Sequence, residues 1–409
     1  MKKTKIFVSA YACEPNKGSE IGVGWHWIME MSKKFEIWVL TRKKNKQNIE
    51  NWIKDNQRKI NVHFVYYDLP QWLTGWKKGM RGVRTYYWLW QKKSNRIVKK
   101  TMIANDIKIY HLLTYGNALW PASKYGMNQK FIWGPIGGTD TIEKEYSRFY
   151  GTKSRMLESL RRGIVKLLNL NIGYILRCKK ANIILCKTEY MRNNIPLKYR
   201  DKAIVFTDVA CEECTYTEQK KVTKKNINFL AVGKLDAWRG FDLLVEAFDK
   251  LYKEKNNICL TIIGDGIDKK RLRKIIEKKK SKEHIKLVNE VSRDEYLKYL
   301  MESEIIVNPS LKEGGVTFVM DSLGHGKPII CIDTKGYTNN LDRECSVILN
   351  KEKRVQLIEN MYEKMLIILD DEVRKRMSQR ALENAREYNW NRKGKDIVKT
   401  IERVVQNET

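Results

Sequence analysis

No stretch of this 409-residue chain approaches the roughly 18 apolar residues in a row that a membrane-spanning helix needs, so no such span is expected. No Asp-x-Asp triplet occurs, and the paired-carboxylate clamp that holds a divalent cation against a phosphate is therefore not visible. Cys211 and Cys214 are spaced as a Cys-x-x-Cys pair, but no second pair or histidine cluster completes a zinc site. The Gly-x-Gly-x-x-Gly pattern of a dinucleotide fold stops at Gly264-Asp265-Gly266. Acidic residues are missing altogether between Gln71 and Lys100.

What is present points elsewhere. Seventy-nine lysines and arginines against 48 acids give a net charge of +31, which asks for an anionic partner: nucleic acid, acidic lipid or a phosphorylated small molecule. A hydrophobic fraction of 42% with 10% aromatics is globular, and the length suits two domains of about 150 to 200 residues. The eight cysteines are scattered, several within apolar strands, as reduced buried thiols of a cytosolic protein would be.

Short apolar runs alternate with helix-length segments: "IFVSA", "EIWVL", "VHFVYY", "IKIYHLL", "FIWG", "NIILC" and "AIVF", then "INFLAVG", "CLTIIGDG", "IKLVN", "IIVNPS" and "PIICID". Strands so spaced form right-handed βαβ units and parallel sheets that bind ligands at the carboxyl ends of their strands. The series restarts near Asn226, after the polar stretch from Cys211 to Lys225. The expected fold is α/β, with two doubly wound, Rossmann-like domains facing each other: residues 1–205, residues 206–375, and a terminal helical segment, 376–409.

Three stretches carry chemistry. The first, "YACEPNKGSEIGVGWHW", follows a basic Met1–Lys5 and an apolar Ile6–Ala12, which resembles an export signal but is at its lower length limit. We read Lys5–Ala10 as a buried strand, Glu14-Pro15-Asn16 as a turn, and Gly18, Gly22 and Gly24 as a loop whose N–H groups approach a ligand ahead of a helix bearing Trp25, Ile28, Met29 and Met31. In the second, "AVGKLDAWRGFDLLVEAF", Lys234 and Arg239 lie between a strand and a helix, where two cations suit a diphosphate. In the third, "NPSLKEGGVTFVMDSLGHGKPIICID", Gly314 and Gly315 allow close backbone approach beside Glu313. The pattern turns helical from Val316, and Asp321 follows about two turns after Glu313. Such carboxylates accept hydrogen bonds from vicinal hydroxyls of a ribose or hexose.

Together these stretches resemble glycosyltransferase family 4, the retaining nucleotide-sugar enzymes of GT-B architecture. "ACEPNKGSEIGVGWHW" and "FIWGPIGGTD" look like signatures of a subgroup active on surface polysaccharides and glycolipids. "IIGDGIDKKRL", "VSRDEYLKYLMESEIIVNPS" and a terminal "AREYNW" keep the family's order. The resemblance implies a front-face reaction with donor contacts at Gly18, Gly22, Gly24, Gly233, Gly264, Gly314, Gly315, Val316 and Asp321. Lys234 and Arg239 would neutralise the departing diphosphate, Glu313 would orient the sugar's hydroxyls, and His111 would hold the sugar's far side. The family has glutamate where this chain has Asp321, and Arg then Lys where it has Lys234 and Arg239. With basic side chains in place of a cation, metal-independent activity without a cofactor is expected.

The excess charge has a second reading. Gln71–Lys100 interleaves Trp72, Trp76, Trp88 and Trp90 with Lys77, Lys78, Arg81, Arg84, Lys92 and Lys93. Ser154–Lys180 sets Leu157, Leu160, Ile164 and Leu167 on one helical face, with Arg162 and Lys166 on another. Such segments suit the surface of an anionic membrane, where a lipid-linked saccharide acceptor is presented. The expectation is a cytoplasmic protein, peripheral on the inner membrane face, with no nucleic-acid partner. A single-stranded nucleic-acid-binding protein and a dinucleotide-dependent oxidoreductase are the alternatives.

Overall fold

The computed structural model describes residues 3–56, 60–77, 82–120, 129–212 and 226–406. These fall into two compact units. The first comprises residues 1–139, 167–208 and 390–409, and the second 140–166 and 209–389. The polar stretch after Glu212, with Cys214, lies outside the described residues, as do Lys78 and Arg81.

The first unit is built on seven strands: β1 (Lys5–Ser9), β2 (Glu36–Thr41), β3 (Val62–Tyr66), β4 (Ile109–Leu112), β5 (Lys130–Ile136), β6 (Ile183–Cys186) and β7 (Ala203–Val205). All pair in parallel, in the order β3-β2-β1-β4-β5-β6-β7. Phe7, Tyr110, Phe131 and Trp133 form an aromatic row along one face of this sheet, each of them buried. The helix Trp390–Gln406 packs here against the helix Ser19–Ser32. The approach is close at Gly394, where a Cβ would sit 2.1 Å from a Glu30 carboxylate oxygen, and His26 stacks on Trp390 at 4.7 Å.

One expectation is corrected in this unit. Gly22 and Gly24 lie inside the helix, which begins at Ser19, and not in a loop ahead of it. Their role is packing. A Cβ on Gly22 would fall 1.8 Å from the Lys17 carbonyl oxygen and one on Gly24 2.1 Å from that of Ala12. Both glycines let the helix lie directly on the turn that feeds it, and Gly18 is its extended N-cap residue.

The second unit has six parallel strands: β8 (Ile227–Val232), β9 (Ile258–Ile263), β10 (Ile285–Val288), β11 (Ile305–Asn308), β12 (Ile329–Ile332) and β13 (Ser346–Leu349). Their order is β10-β9-β8-β11-β12-β13. The helix Phe241–Tyr252 buries Leu244, Val245 and Phe248 completely, and Phe248 meets Phe229 edge-on. Twelve strands match apolar runs in the sequence; β13, a four-residue edge strand paired only with β12, was not anticipated.

Residues 140–166 join the second unit through Ile142, Tyr146 and Tyr150 in its apolar core and through further contacts. Tyr146 donates to the Glu352 carbonyl, the Arg354 N–H donates to Glu145 at 3.2 Å, and the Arg354 guanidinium lies 4.7 Å from the Phe149 ring centre. The helix Thr152–Lys166 is turned with its apolar stripe outward. Met156, Leu157, Leu160 and Ile164 are exposed, Leu160 to 61%, while Glu158 is buried. The basic-aromatic segment divides differently. Trp90 is in the core with its Nε1 donating to the Tyr67 carbonyl at 2.9 Å, whereas Trp72 is 79% exposed and Trp76 is also at the surface.

Candidate functional site

In an open parallel sheet the ligand crevice opens at the carboxyl ends of the two strands where the chain order reverses. In the second unit those strands are β8 and β11. Arg239 follows β8 and Glu313 follows β11.

The loops carrying them are locked backbone to backbone. Gly240 takes a left-handed conformation (φ +67°), and a Cβ there would meet the Pro309 carbonyl oxygen at 2.1 Å, so only glycine fits. The Leu311 N–H donates to the Trp238 carbonyl at 3.1 Å. Across this junction Arg239 Nη1 donates to Glu313 Oε2 at 2.5 Å, with both side chains mostly buried. Gly233 lies against the guanidinium, where an added Cβ would be in contact with Arg239 Nη1 at 3.4 Å. Arg239 Nε is buried without a hydrogen-bond partner among the described residues. The guanidinium thus aligns Glu313 through one nitrogen and keeps other donors in hand.

Gly314 and Gly315 continue the loop, half-buried, into the helix Thr317–Gly324, whose N-cap Val316 offers no side-chain acceptor. The first N–H groups of that helix are therefore uncapped by a side chain, next in sequence to the Arg239–Glu313 pair, an arrangement suited to anions. Lys234 extends into solvent, 62% exposed, with its ammonium 3.4 Å from Asp236. Gly264 and Gly266 are closely packed, since added Cβ atoms would lie 1.9 Å from the Gly233 oxygen and 2.3 Å from the Leu235 oxygen.

Asp321 is not joined to Glu313 by any hydrogen bond among the described residues. Its carboxylate receives a fork from Arg293, at 2.6 and 3.0 Å, and the Tyr296 hydroxyl at 2.9 Å. Three of its roughly four lone-pair positions are thus taken, leaving one on Oδ1. Burial, then the Asp321 charge, pushes the Tyr296 phenol well above its ordinary range.

His111 lies in the first unit, on β4, at that sheet's own reversal point between β1 and β4. It is completely buried. One ring nitrogen, Nε2, meets the Gly134 carbonyl oxygen at 2.7 Å, Nδ1 has no partner among the described residues, and Trp27 approaches edge-on at 5.9 Å. Burial pushes the imidazole down to about 4, so the ring is neutral near pH 7, with the proton on Nε2 facing the carbonyl. The same unit holds a second buried group: Trp27 also meets Phe206 edge-on at 5.6 Å, Lys393 lies 3.9 Å from that Phe206 ring and 3.2 Å from the Thr207 hydroxyl, and burial pushes its ammonium down to about 8.

Sequence reasoning missed Trp238, Lys312, Arg293 and Glu158. The first two flank Arg239 and Glu313 and were within reach of it; the pairing of Lys312 with Glu158, 154 residues away, has no local signal.

The architecture and this site define the class to compare. Residues 215–386 match the family described as glycosyl transferases group 1. An uncharacterized glycosyltransferase of Methanocaldococcus jannaschii is 25% identical over 216 residues, which is 51% of this chain and 55% of that one. The N-acetylgalactosamine-N,N'-diacetylbacillosaminyl-diphospho-undecaprenol 4-alpha-N-acetylgalactosaminyltransferase of Campylobacter jejuni is 23% identical over 240 residues, 58% of this chain and 62% of that one. The chain thus spans between half and two thirds of the length of these curated relatives. The crystal structure of Anabaena Alr3699/HepE in complex with UDP and glucose superposes with a TM-score of 0.61 at 11% identity, over 98% of this chain and all of that one. That likeness is one of fold: two parallel-sheet, Rossmann-like units of the GT-B kind.

Proposed function

We propose that this protein is a glycosyltransferase that moves a sugar, with retention of configuration, from a nucleoside-diphosphate donor to a saccharide carried on a lipid or polymer. The observation that carries the reading is the Arg239–Glu313 pair at the reversal point of the second sheet. The match of residues 215–386 to glycosyl transferases group 1 supports it, as do a relative named for transfer to a diphospho-undecaprenol-linked acceptor and a structural neighbour holding UDP and glucose.

In this reading the bond from the anomeric carbon to the leaving phosphate oxygen breaks first, leaving an oxocarbenium-like sugar. The acceptor hydroxyl oxygen then bonds to that carbon on the same face, and its proton passes to the phosphate oxygen. Charge grows on the diphosphate, where Arg239, Lys234 and the uncapped N–H groups after Val316 stabilise it. Glu313, held by Arg239, orients the sugar's hydroxyls. Asp321 offers its remaining lone pair to the ribose. His111, being neutral, acts by hydrogen bonding and not as a general acid. The site uses basic side chains in place of a metal.

The acceptor is membrane-borne. Among the described residues no helix is long and apolar enough to cross a membrane. The outward stripe of Met156, Leu157, Leu160 and Ile164, beside exposed Lys153, Arg155 and Lys166, instead suits the headgroup region of an anionic bilayer. Product analysis by NMR with EDTA present tests the reaction: an inverted linkage, or activity abolished by the chelator and restored by a divalent ion, contradicts it.

A further inference from the structure

The helix Thr152–Lys166 presents one acid inward. Glu158 Oε1 accepts from Lys312 Nζ at 2.6 Å, and both side chains are under a tenth exposed. Neither residue belongs to the site as described above, yet Lys312 is the chain neighbour of Glu313. The contacts continue in a closed circuit. Lys312 Nζ lies 5.2 Å from the Trp238 ring centre, the Arg239 guanidinium lies 4.6 Å from the same ring, and Arg239 binds Glu313. One indole thus meets both cations, and the circuit returns through the peptide bond to Lys312.

A buried ammonium with the Arg161 guanidinium as its neighbouring cation is costly unless an anion answers it. Glu158 supplies that anion from the helix. The helix is in turn fixed by Arg161 Nε donating to the Asp140 carbonyl and by Arg162 donating to the Ile142 carbonyl, both at 2.9 Å. We propose that Glu158 and Lys312 are a positioning pair: through Trp238 they hold Arg239 and Glu313 in the geometry that grips the donor's diphosphate and sugar. The inference rests on the donor-site reading of Arg239 and Glu313. It gives the 152–166 helix two faces with separate tasks, an apolar one outward and an acidic one that sets the donor loop.

The pair has a pH signature. Burial, then Arg161, pushes Lys312 down to about 8, against the opposing pull of Glu158 and Asp140. Other titratable or charged groups around the circuit are Tyr150, which feels Glu158, Tyr337, which feels Glu313, and Arg239 and Glu313 themselves. As pH rises through about 8, Lys312 loses its charge and the circuit loosens.

Calorimetric titration of the full chain with UDP, GDP and ADP from pH 6.5 to 9.5 tests this, with thermal unfolding followed alongside. The native chain is expected to bind one of them with an affinity that falls through about pH 8. Lys312→Arg, which keeps its charge, should flatten that fall. Glu158→Leu with Lys312→Met, an apolar pair that leaves no buried charge unanswered, should unfold at the native temperature yet bind about tenfold more weakly, as misplaced positioning groups do. Native affinity in that double variant, or a fall with pH that persists in Lys312→Arg, overturns the positioning role. Arg239→Ala separates the two levels. If the native chain binds no nucleotide, or Arg239→Ala binds as well as native, the donor-site reading itself fails and the pair falls with it.

Discussion

The two sheets reverse their strand order in the same way, but the chain fills the two reversal points with opposite materials. Between β1 and β4 it places its own side chains: Tyr11 meets Tyr87 and Tyr115 at ring distances of 5.2 and 4.8 Å, and the Ala12 N–H donates to the Thr114 hydroxyl at 3.0 Å. His111 is buried beneath, neutral. Between β8 and β11 it places glycines and charge: Gly233, Gly240, Gly314 and Gly315 around Arg239 and Glu313. One reversal point is packed with aromatic rings and the other is lined by glycines and an ion pair. The same topology therefore carries two different linings, one aromatic and one charged.

The comparison breaks most visibly at the second crevice. Removing either Arg239 or Glu313 as alanine should lower turnover about a hundredfold or more in protein that is still folded, because each acts on the reacting charge, and should also lower the unfolding temperature, because the partner's charge is left mostly buried. Steady-state nucleotide release checks it. Equal losses from substitutions at Tyr87 would erase the distinction.

In the first unit the expected effect is on stability. Gly24→Ala forces a Cβ to within 2.1 Å of the Ala12 carbonyl oxygen, and 2.7 Å of a Thr114 methyl, and should cost about 3 kcal/mol. Calorimetry should show unfolding about 6 to 12 °C lower for a unit of this size. Gly75→Ala, with open space around it, is the control and should unfold at the native temperature.

His111 sharpens the contrast through pH. Its folded value of about 4 lies below the ordinary 6.5, so between these the unfolded chain binds a proton that the folded chain does not. The associated stability is complete above pH 6.5 and is lost as pH falls towards 4, to a total of up to about 3 kcal/mol. Denaturant unfolding across that window should show a shallower loss for His111→Asn. If His111 worked as a general acid, activity would be lost as pH rises through about 4.

The smallest effect is expected at the surface. Leu160→Glu with Ile164→Glu should weaken binding to anionic phospholipid vesicles about tenfold, since apolar area leaves the bilayer and negative charge enters. Nucleotide affinity should stay as it was. Unchanged sedimentation with vesicles would remove the membrane from the account.

Much of this was legible in the sequence, for a physical reason. A strand buried on both faces must be a short apolar run, so the central strands announced themselves, and the edge strands β3, β7 and β10 carried apolar runs as well; β13, the remaining edge strand, begins at Ser346 and offered only three apolar residues in a row. Arg239 and Glu313 each stand in a local motif, and strand order brought them together. The helix start at Ser19 was hidden because Gly22 and Gly24 read as loop residues until the backbone pressed against them is seen. The Glu158–Lys312 pair and the Arg293 fork on Asp321 span 154 and 28 residues, and nothing local in the sequence marks contacts made by folding.

The central claim is that the second crevice is the donor site. The most direct test is nucleotide release from a panel of UDP-, GDP- and ADP-sugars with EDTA present, comparing the native chain with Glu313→Ala and Arg239→Ala. The account predicts release from one donor, spared by the chelator and abolished in both variants. Release that survives both substitutions, or no binding of any donor by a folded native chain, would contradict it.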